Sequence, residues 1–177
     1  SKENVKVINQ KKLMQLLSKK INVNRQNDSQ ETFTLILDLI PDLEKYYENK
    51  IKNSYTCQIC NKKRIVEDTF STFYIYDSSL EDSVKNLVKK EQFELECENC
   101  KKNTTTTKSC KITKLGNILI FFNVLKNKLS LSESIIFGET KYKLTGIIKH
   151  HGTQNFGHYI FIDFIEKLII DDTTITK

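Results

Sequence analysis

Two pairs of cysteines, Cys57-Gln-Ile-Cys60 and Cys97-Glu-Asn-Cys100, constrain this chain more than any other feature it has. Each C-x-x-C presents two sulfurs from one tight turn. Two such turns close a tetrahedron round Zn2+ with no position left for water, so the metal they imply is structural and not catalytic. The stretch between the pairs is longer than a small zinc finger allows and must form strands and a helix of its own, which makes a zinc ribbon with an insertion. The fifth cysteine, Cys110, stands at the entrance to a predicted strand with no histidine near it in sequence. It reads as a small buried residue and not as a nucleophile.

Cysteines used in this way belong to a reducing compartment, and the N-terminus has no apolar stretch of the signal-peptide kind, so the expected location is intracellular, cytoplasmic or nuclear. The longest apolar runs, Ile118–Phe122 and Tyr159–Ile165, are too short to cross a bilayer, and no membrane partner is expected. With 38% hydrophobic residues the chain can build a core, and its 177 residues suit one domain. Lys and Arg outnumber Asp and Glu by 28 to 22, but they are spread along the chain among the acids. That excess describes a solvated surface, and nucleic acid is not an expected partner.

Phe33, Ile36, Leu37 and Ile40 recur at helical spacing from Asp28 onward, and Pro41 ends the run. The start, Asp28-Ser29-Gln30-Glu31, fits a capping box with Asp28 as the cap and Glu31 reaching back. A second helix is predicted over Leu80–Lys89. Thr69–Tyr76, Ile118–Val124, Tyr142–Lys149, Tyr159–Phe164 and Lys167–Ile170 are rich in β-branched and aromatic residues and predict strands. The class is therefore α+β, helix first and sheet after.

His158 opens the predicted strand that follows a polar, glycine-containing loop. From His158 to Asp172 the pattern is a hairpin turning near Ile165–Lys167, which brings Asp171 and Asp172 close to His158. One residue of register decides which acid faces it. An imidazole held by a carboxylate is the base half of a cysteine-protease triad.

Taken together these stretches resemble the catalytic domain of the ubiquitin-specific proteases over nearly all 177 residues. Gln26-Asn27-Asp28-Ser29-Gln30-Glu31-Thr32-Phe33 is similar to that family's Gln-Gln-Asp-Ala-x-Glu-Phe box. The cysteine pairs, with Phe93–Glu96 before the second and Lys111–Leu115 after it, resemble the fingers subdomain. Asn117–Lys126 resembles the strand that ends in Leu-Lys-Arg-Phe, with Asn127 in place of the arginine and Gly116 where proline is usual. His150-His151-Gly152 with Gly157-His158-Tyr159 is similar to the histidine box, and Ile170-Asp171-Asp172 to the terminal Phe-Asp-Asp segment.

The resemblance implies a papain-like cysteine-protease fold of the ubiquitin-specific type: an antiparallel palm sheet with zinc-ribbon fingers and the thumb largely missing. It divides one domain over 1–177 into an N-terminal helical part (1–50), fingers (51–115) and a palm with the histidine box (116–177). It implies His158 as base and Asp171 as its orienting partner. Asp28 and Glu31 become contacts to the basic C-terminal tail of ubiquitin, and Gly157 lets the backbone approach that tail. His150 becomes a structural residue beside the loop, and Cys57, Cys60, Cys97 and Cys100 hold structural Zn2+.

The family's cysteine box lies upstream of its Asp-containing box, and no such box is found between Ser1 and Asp28. The expectation is a chain that is inactive alone for want of a nucleophile, part of a thiol-dependent deubiquitinase that cleaves after the C-terminal glycine of ubiquitin. The alternative is a catalytically inactive ubiquitin-binding pseudo-protease or scaffold.

Overall fold

The computed structural model describes residues 10–124, 128–153 and 157–177. Leu125-Lys126-Asn127, from the segment that resembles the family's Leu-Lys-Arg-Phe strand, and the loop residues Gln154-Asn155-Phe156 lie outside the described residues. The chain divides into two compact units, one built from the residues up to Asp42 together with Thr145–Lys177, the other from Leu43–Leu144.

In the first unit, α1 (Lys11–Leu17) precedes α2 (Ser29–Leu39). α2 begins where its cap requires: Asp28 has extended backbone, and its carboxylate accepts from the amides of Gln30 at 2.9 Å and Glu31 at 3.1 Å. Two N–H groups that a helix start leaves without partners are thereby satisfied. Among the described residues the reciprocal bond from Glu31 is not formed. The helix ends at Ile40, ahead of Pro41, which opens a short 3-10 turn. A brief α3 (Glu44–Tyr47) follows in the second unit.

The second unit holds β1 (Asn49–Cys57), β2 (Lys63–Phe70), β3 (Thr72–Ile75), α4 (Leu80–Leu87), β4 (Glu91–Cys97), β5 (Lys102–Lys114), β6 (Ile120–Asn123), β7 (Ser134–Phe137) and β8 (Thr140–Lys143). Four of these strands form one antiparallel sheet in the order β2-β1-β5-β4. Both cysteine pairs sit at the turns of its two hairpins, β1–β2 and β4–β5. The insertion between them supplies β3 and α4, and Ser79 caps α4 by accepting from the amide of Asp82.

β3 pairs in parallel with β6, and its inward side chains build the core. Ile75, Leu80 and Ile135 form a buried cluster with Val84, Phe121, Leu129 and Tyr142 packed against it. Phe73 stacks on Phe121 with ring centroids 5.2 Å apart. Asn49 is wholly buried, yet its carboxamide is satisfied. It donates to the carbonyls of Tyr47 and Phe70 and accepts from the amide of Gly116, tying the start of β1 to the end of β2 and to the chain beyond β5.

The first unit is completed by β9 (Gly146–Gly152), β10 (Gly157–Asp163), β11 (Leu168–Asp171) and β12 (Thr174–Thr176), an antiparallel sheet in the order β12-β11-β10-β9. The structure is thus α+β, helix first, with antiparallel sheets and the cysteine-bearing hairpins inserted. Two predicted strands are divided. Thr69–Tyr76 breaks at Ser71, because Phe70 ends a pairing with β1 while Thr72 begins one with β6. Tyr142–Lys149 breaks at Leu144 and Thr145, where pairing passes from β7 to β10. β-propensity marks a strand but carries no record of its neighbour.

Candidate functional site

His158 lies on β10 opposite His151 of β9, and β10 meets β11 through Phe161 paired with Ile170 and Ile162 with Ile169. Continuing that register sets Asp171 opposite Ile160, which shares a face with His158. Asp171 therefore reaches His158 diagonally across the pair. The His158 Nε2 and Asp171 Oδ1 atoms are 2.5 Å apart, the ring N–H donating to the carboxylate.

Asp172 has left the strand in the left-handed conformation, with φ of 49°, at the turn into β12. Its carboxylate stays near, since donor atoms of His158, Asp171 and Asp172 all lie within 4.8 Å of one another. The bond to Asp171 raises the His158 pKa above the ordinary histidine value. Burial opposes it, and the charges of Asp171 and then Asp172 add smaller effects in the same direction as the bond. With Nε2 committed to Asp171, Nδ1 is the nitrogen left for proton transfer.

Gly157 pairs with Gly152 at the start of β10. A Cβ there would lie 1.9 Å from His150 Nε2 and 2.7 Å from the His151 carbonyl oxygen. The space that glycine leaves is taken by the chain's own His150 imidazole, which packs on the Tyr159 ring with centroids 4.6 Å apart.

Tyr159 connects this sheet to α2. Its phenol pKa is raised first by burial and then by the charge of Asp28, with Ser29 at the start of α2 acting in the opposite direction. The exposed carboxylates of Asp28 and Glu31 thus stand at the helix end that the Tyr159 side chain reaches. The sequence motifs named His158, Asp28 and Glu31. The Tyr159 link was not foreseen, because only the tertiary fold brings residues so distant in sequence together.

The other site is the four-cysteine cluster. Each knuckle closes in the same way, with Asn61 N–H donating to the Cys57 carbonyl at 3.0 Å and Lys101 N–H to the Cys97 carbonyl at 2.8 Å. Asn61 and Lys101 both adopt left-handed backbone, φ 57° and 54°. Cys57 Sγ lies 3.9 Å from Cys100 Sγ, Cys60 Sγ lies 3.7 Å from Cys97 Sγ, and all four sulfurs are within 4.8 Å of one another. A tetrahedron with metal–sulfur bonds of about 2.3 Å has edges of about 3.8 Å. A disulfide needs about 2.0 Å. The sulfurs are spaced for a shared cation.

Their electrostatics agree. The Thr104 hydroxyl, followed by the Cys60 amide, draws the Cys57 thiol down to about 6, whereas the neighbouring Cys60 sulfur and burial push Cys100 up to about 12. Thiolates this close repel, and a divalent cation removes the conflict while displacing the remaining protons. The cluster is compatible with structural zinc.

Cys110 is half-buried in the middle of β5 opposite Asn53, and burial raises its thiol pKa. The charge of Lys108 opposes that shift and those of Asp68 and Glu91 add to it, so the thiolate is disfavoured.

No family model matches the chain. It is 24% identical to the probable ubiquitin carboxyl-terminal hydrolase 8 of Schizosaccharomyces pombe over 93% of this chain and 44% of that protein. Among solved structures it matches a chain of the SAGA Ubp8/Sgf11/Sus1/Sgf73 DUB module bound to ubiquitin aldehyde, with TM-score 0.72, 21% identity, and 89% of this chain against 47% of that one. A variant of that module bound to monoubiquitin matches with TM-score 0.71 and 22% identity, over 85% of this chain and 44% of that one. The chain spans less than half the length of each of these relatives.

Proposed function

We propose, for a chain that is homologous to ubiquitin carboxyl-terminal hydrolases and carries part of their catalytic-domain fold, that it supplies the base and the ubiquitin grip of a thiol-dependent deubiquitinase. The bond from His158 Nε2 to Asp171 carries this reading, because it orients the imidazole through one nitrogen and leaves Nδ1 for proton transfer.

In this reading His158 takes the proton from a cysteine thiol, and the thiolate attacks the carbonyl carbon at the C-terminal glycine of ubiquitin. The imidazolium then protonates the departing amine. Water, deprotonated by the same imidazole, releases ubiquitin from the thioester. Asp171 holds the ring and stabilises its protonated form. Asp28 and Glu31 accept charge-assisted hydrogen bonds from the tail's arginines, and the backbone at Gly157 borders the path of the tail. Cys57, Cys60, Cys97 and Cys100 hold Zn2+, which fixes the two hairpins of the fingers and takes no part in the chemistry.

None of the five cysteines stands as the nucleophile in this scheme. Four form the metal cluster, and burial raises the Cys110 thiol pKa, which disfavours the thiolate a nucleophile needs. The attacking cysteine belongs to the remainder of the catalytic domain, whose homologues are about twice as long. The parts 1–50, 51–115 and 116–177 act as helical segment, fingers and palm, in an intracellular protein. Among the described residues no helix is long and apolar enough to cross a membrane.

The test uses the native full-length protein and ubiquitin carrying a thiol-reactive electrophile at its C-terminus. The expected result is a covalent adduct mapped to a cysteine outside the five described here and lost in His158→Ala. Reversible ubiquitin binding without an adduct would make the protein a non-catalytic ubiquitin-binding scaffold. Loss of both would overturn the ubiquitin reading.

A further inference from the structure

The four sulfurs of the cysteine cluster are not equivalent. Cys57 is 4% exposed, while Cys60, Cys97 and Cys100 are all more open to solvent. A thiolate bound to a metal still carries lone pairs that need donors. Water can serve the three outer sulfurs, but a buried one must find its donor within the protein.

One side chain is placed for this. Thr104, on β5 four residues past Cys100, is 2% exposed, and its Oγ1 lies 3.3 Å from Cys57 Sγ. The same hydroxyl is 3.5 Å from the Leu95 carbonyl oxygen, its cross-strand neighbour on β4. Its one proton can point to only one of them. When Cys57 is a metal-bound thiolate it has no proton, and the hydroxyl must be the donor.

We propose that Thr104 is a positioning residue of the metal site, an outer hydrogen-bond donor whose hydroxyl serves the buried Cys57 thiolate and thereby sets how tightly the metal is kept. This inference rests on the reading of the cluster as a metal site. Thr104 joins the metal hairpins as well, because it stands on β5 while Cys57 ends β1.

Outer-shell hydrogen bonds of this kind are worth on the order of 10- to 100-fold in metal affinity. The experiment loads the chain with Zn2+ or Co2+ and compares wild type, Thr104→Val and Thr104→Ser. Val keeps the shape and removes the hydroxyl, and Ser keeps the hydroxyl. The readouts are the rate of zinc transfer to a chromogenic chelator at fixed pH and the thiolate-to-cobalt charge-transfer band.

Thr104→Val is expected to release zinc about ten times faster or more, with the cobalt band moved to longer wavelength, and Thr104→Ser to track wild type in both. Equal release rates and an unmoved band in Thr104→Val would overturn the proposal while leaving the metal site standing. A wild type that binds neither metal would instead remove the metal reading beneath it. Should Thr104→Val not fold, the comparison passes to Thr104→Ser against Thr104→Ala, with the same order of release expected.

Discussion

The imidazole of His150 occupies the volume that a Cβ on Gly157 would need, with Nε2 1.9 Å from that position. Gly157→Ala therefore has to displace the ring from its contact with Tyr159, at a cost of about 1–3 kcal/mol. Denaturant unfolding should show this loss. The double variant His150→Ala/Gly157→Ala should recover part of it, leaving the closer approach to the His151 carbonyl as the remainder.

The bond to Asp171 raises the His158 pKa, so the charged ring is favoured in the folded state. The sign follows: the pair's stabilisation is complete below the unfolded pKa of about 6.5 and is lost as pH rises through the higher folded value. An NMR titration of His158 should show a midpoint above 6.5 in wild type. Asp171→Asn should bring it down, and Asp172→Asn should move it less. A larger effect from Asp172→Asn would reassign the orienting acid.

Asp28 caps α2, and in the proposed function it also meets the tail of ubiquitin, two roles that substitution can separate. As a helix cap it needs only an oxygen, so Asp28→Asn should leave stability nearly unchanged, while Asp28→Ala should cost about 1 kcal/mol. As a contact to a basic tail it needs charge, so Asp28→Asn should weaken ubiquitin binding by the full protein. Unchanged affinity in a stable Asp28→Asn would confine Asp28 to capping.

Asn49 is buried and makes three hydrogen bonds through its carboxamide. Asn49→Ala leaves two carbonyls and the Gly116 amide buried without their partner and should destabilise the fold by about 3 kcal/mol or more. Hydrogen exchange at the Gly116 amide should accelerate in parallel. An exchange rate like that of wild type would mean that water replaces the carboxamide.

Zinc removal should act on the sheet β2-β1-β5-β4. Metal analysis should give one zinc per chain, and chelation should release it with loss of protection in β1 and β5. Cys60→Ser and Cys97→Ser should lose the metal, whereas Cys110→Ser should keep it. A metal content that follows Cys110 would contradict the four-cysteine assignment.

Much of this was legible in the sequence. The doubled C-x-x-C pointed to the sulfur pairs of the four-cysteine cluster because only two residues separate the sulfurs within each pair, so the local turn alone sets their distance. The cap at Asp28 and the stop at Pro41 were legible for the same reason: each acts on a backbone within four residues of itself. What only the tertiary structure decided is every relation that depends on which strands become neighbours. The choice of Asp171 over Asp172 at His158 turns on a single step of register between β10 and β11. The division of Thr69–Tyr76 and Tyr142–Lys149 turns on a change of pairing partner that propensity does not encode. Thr104 showed itself in sequence only as one threonine in a run of four. Its place beside Cys57 exists because β5 pairs with both β1 and β4, and a hydroxyl acquires a duty at a sulfur only once the sheet has put them in contact.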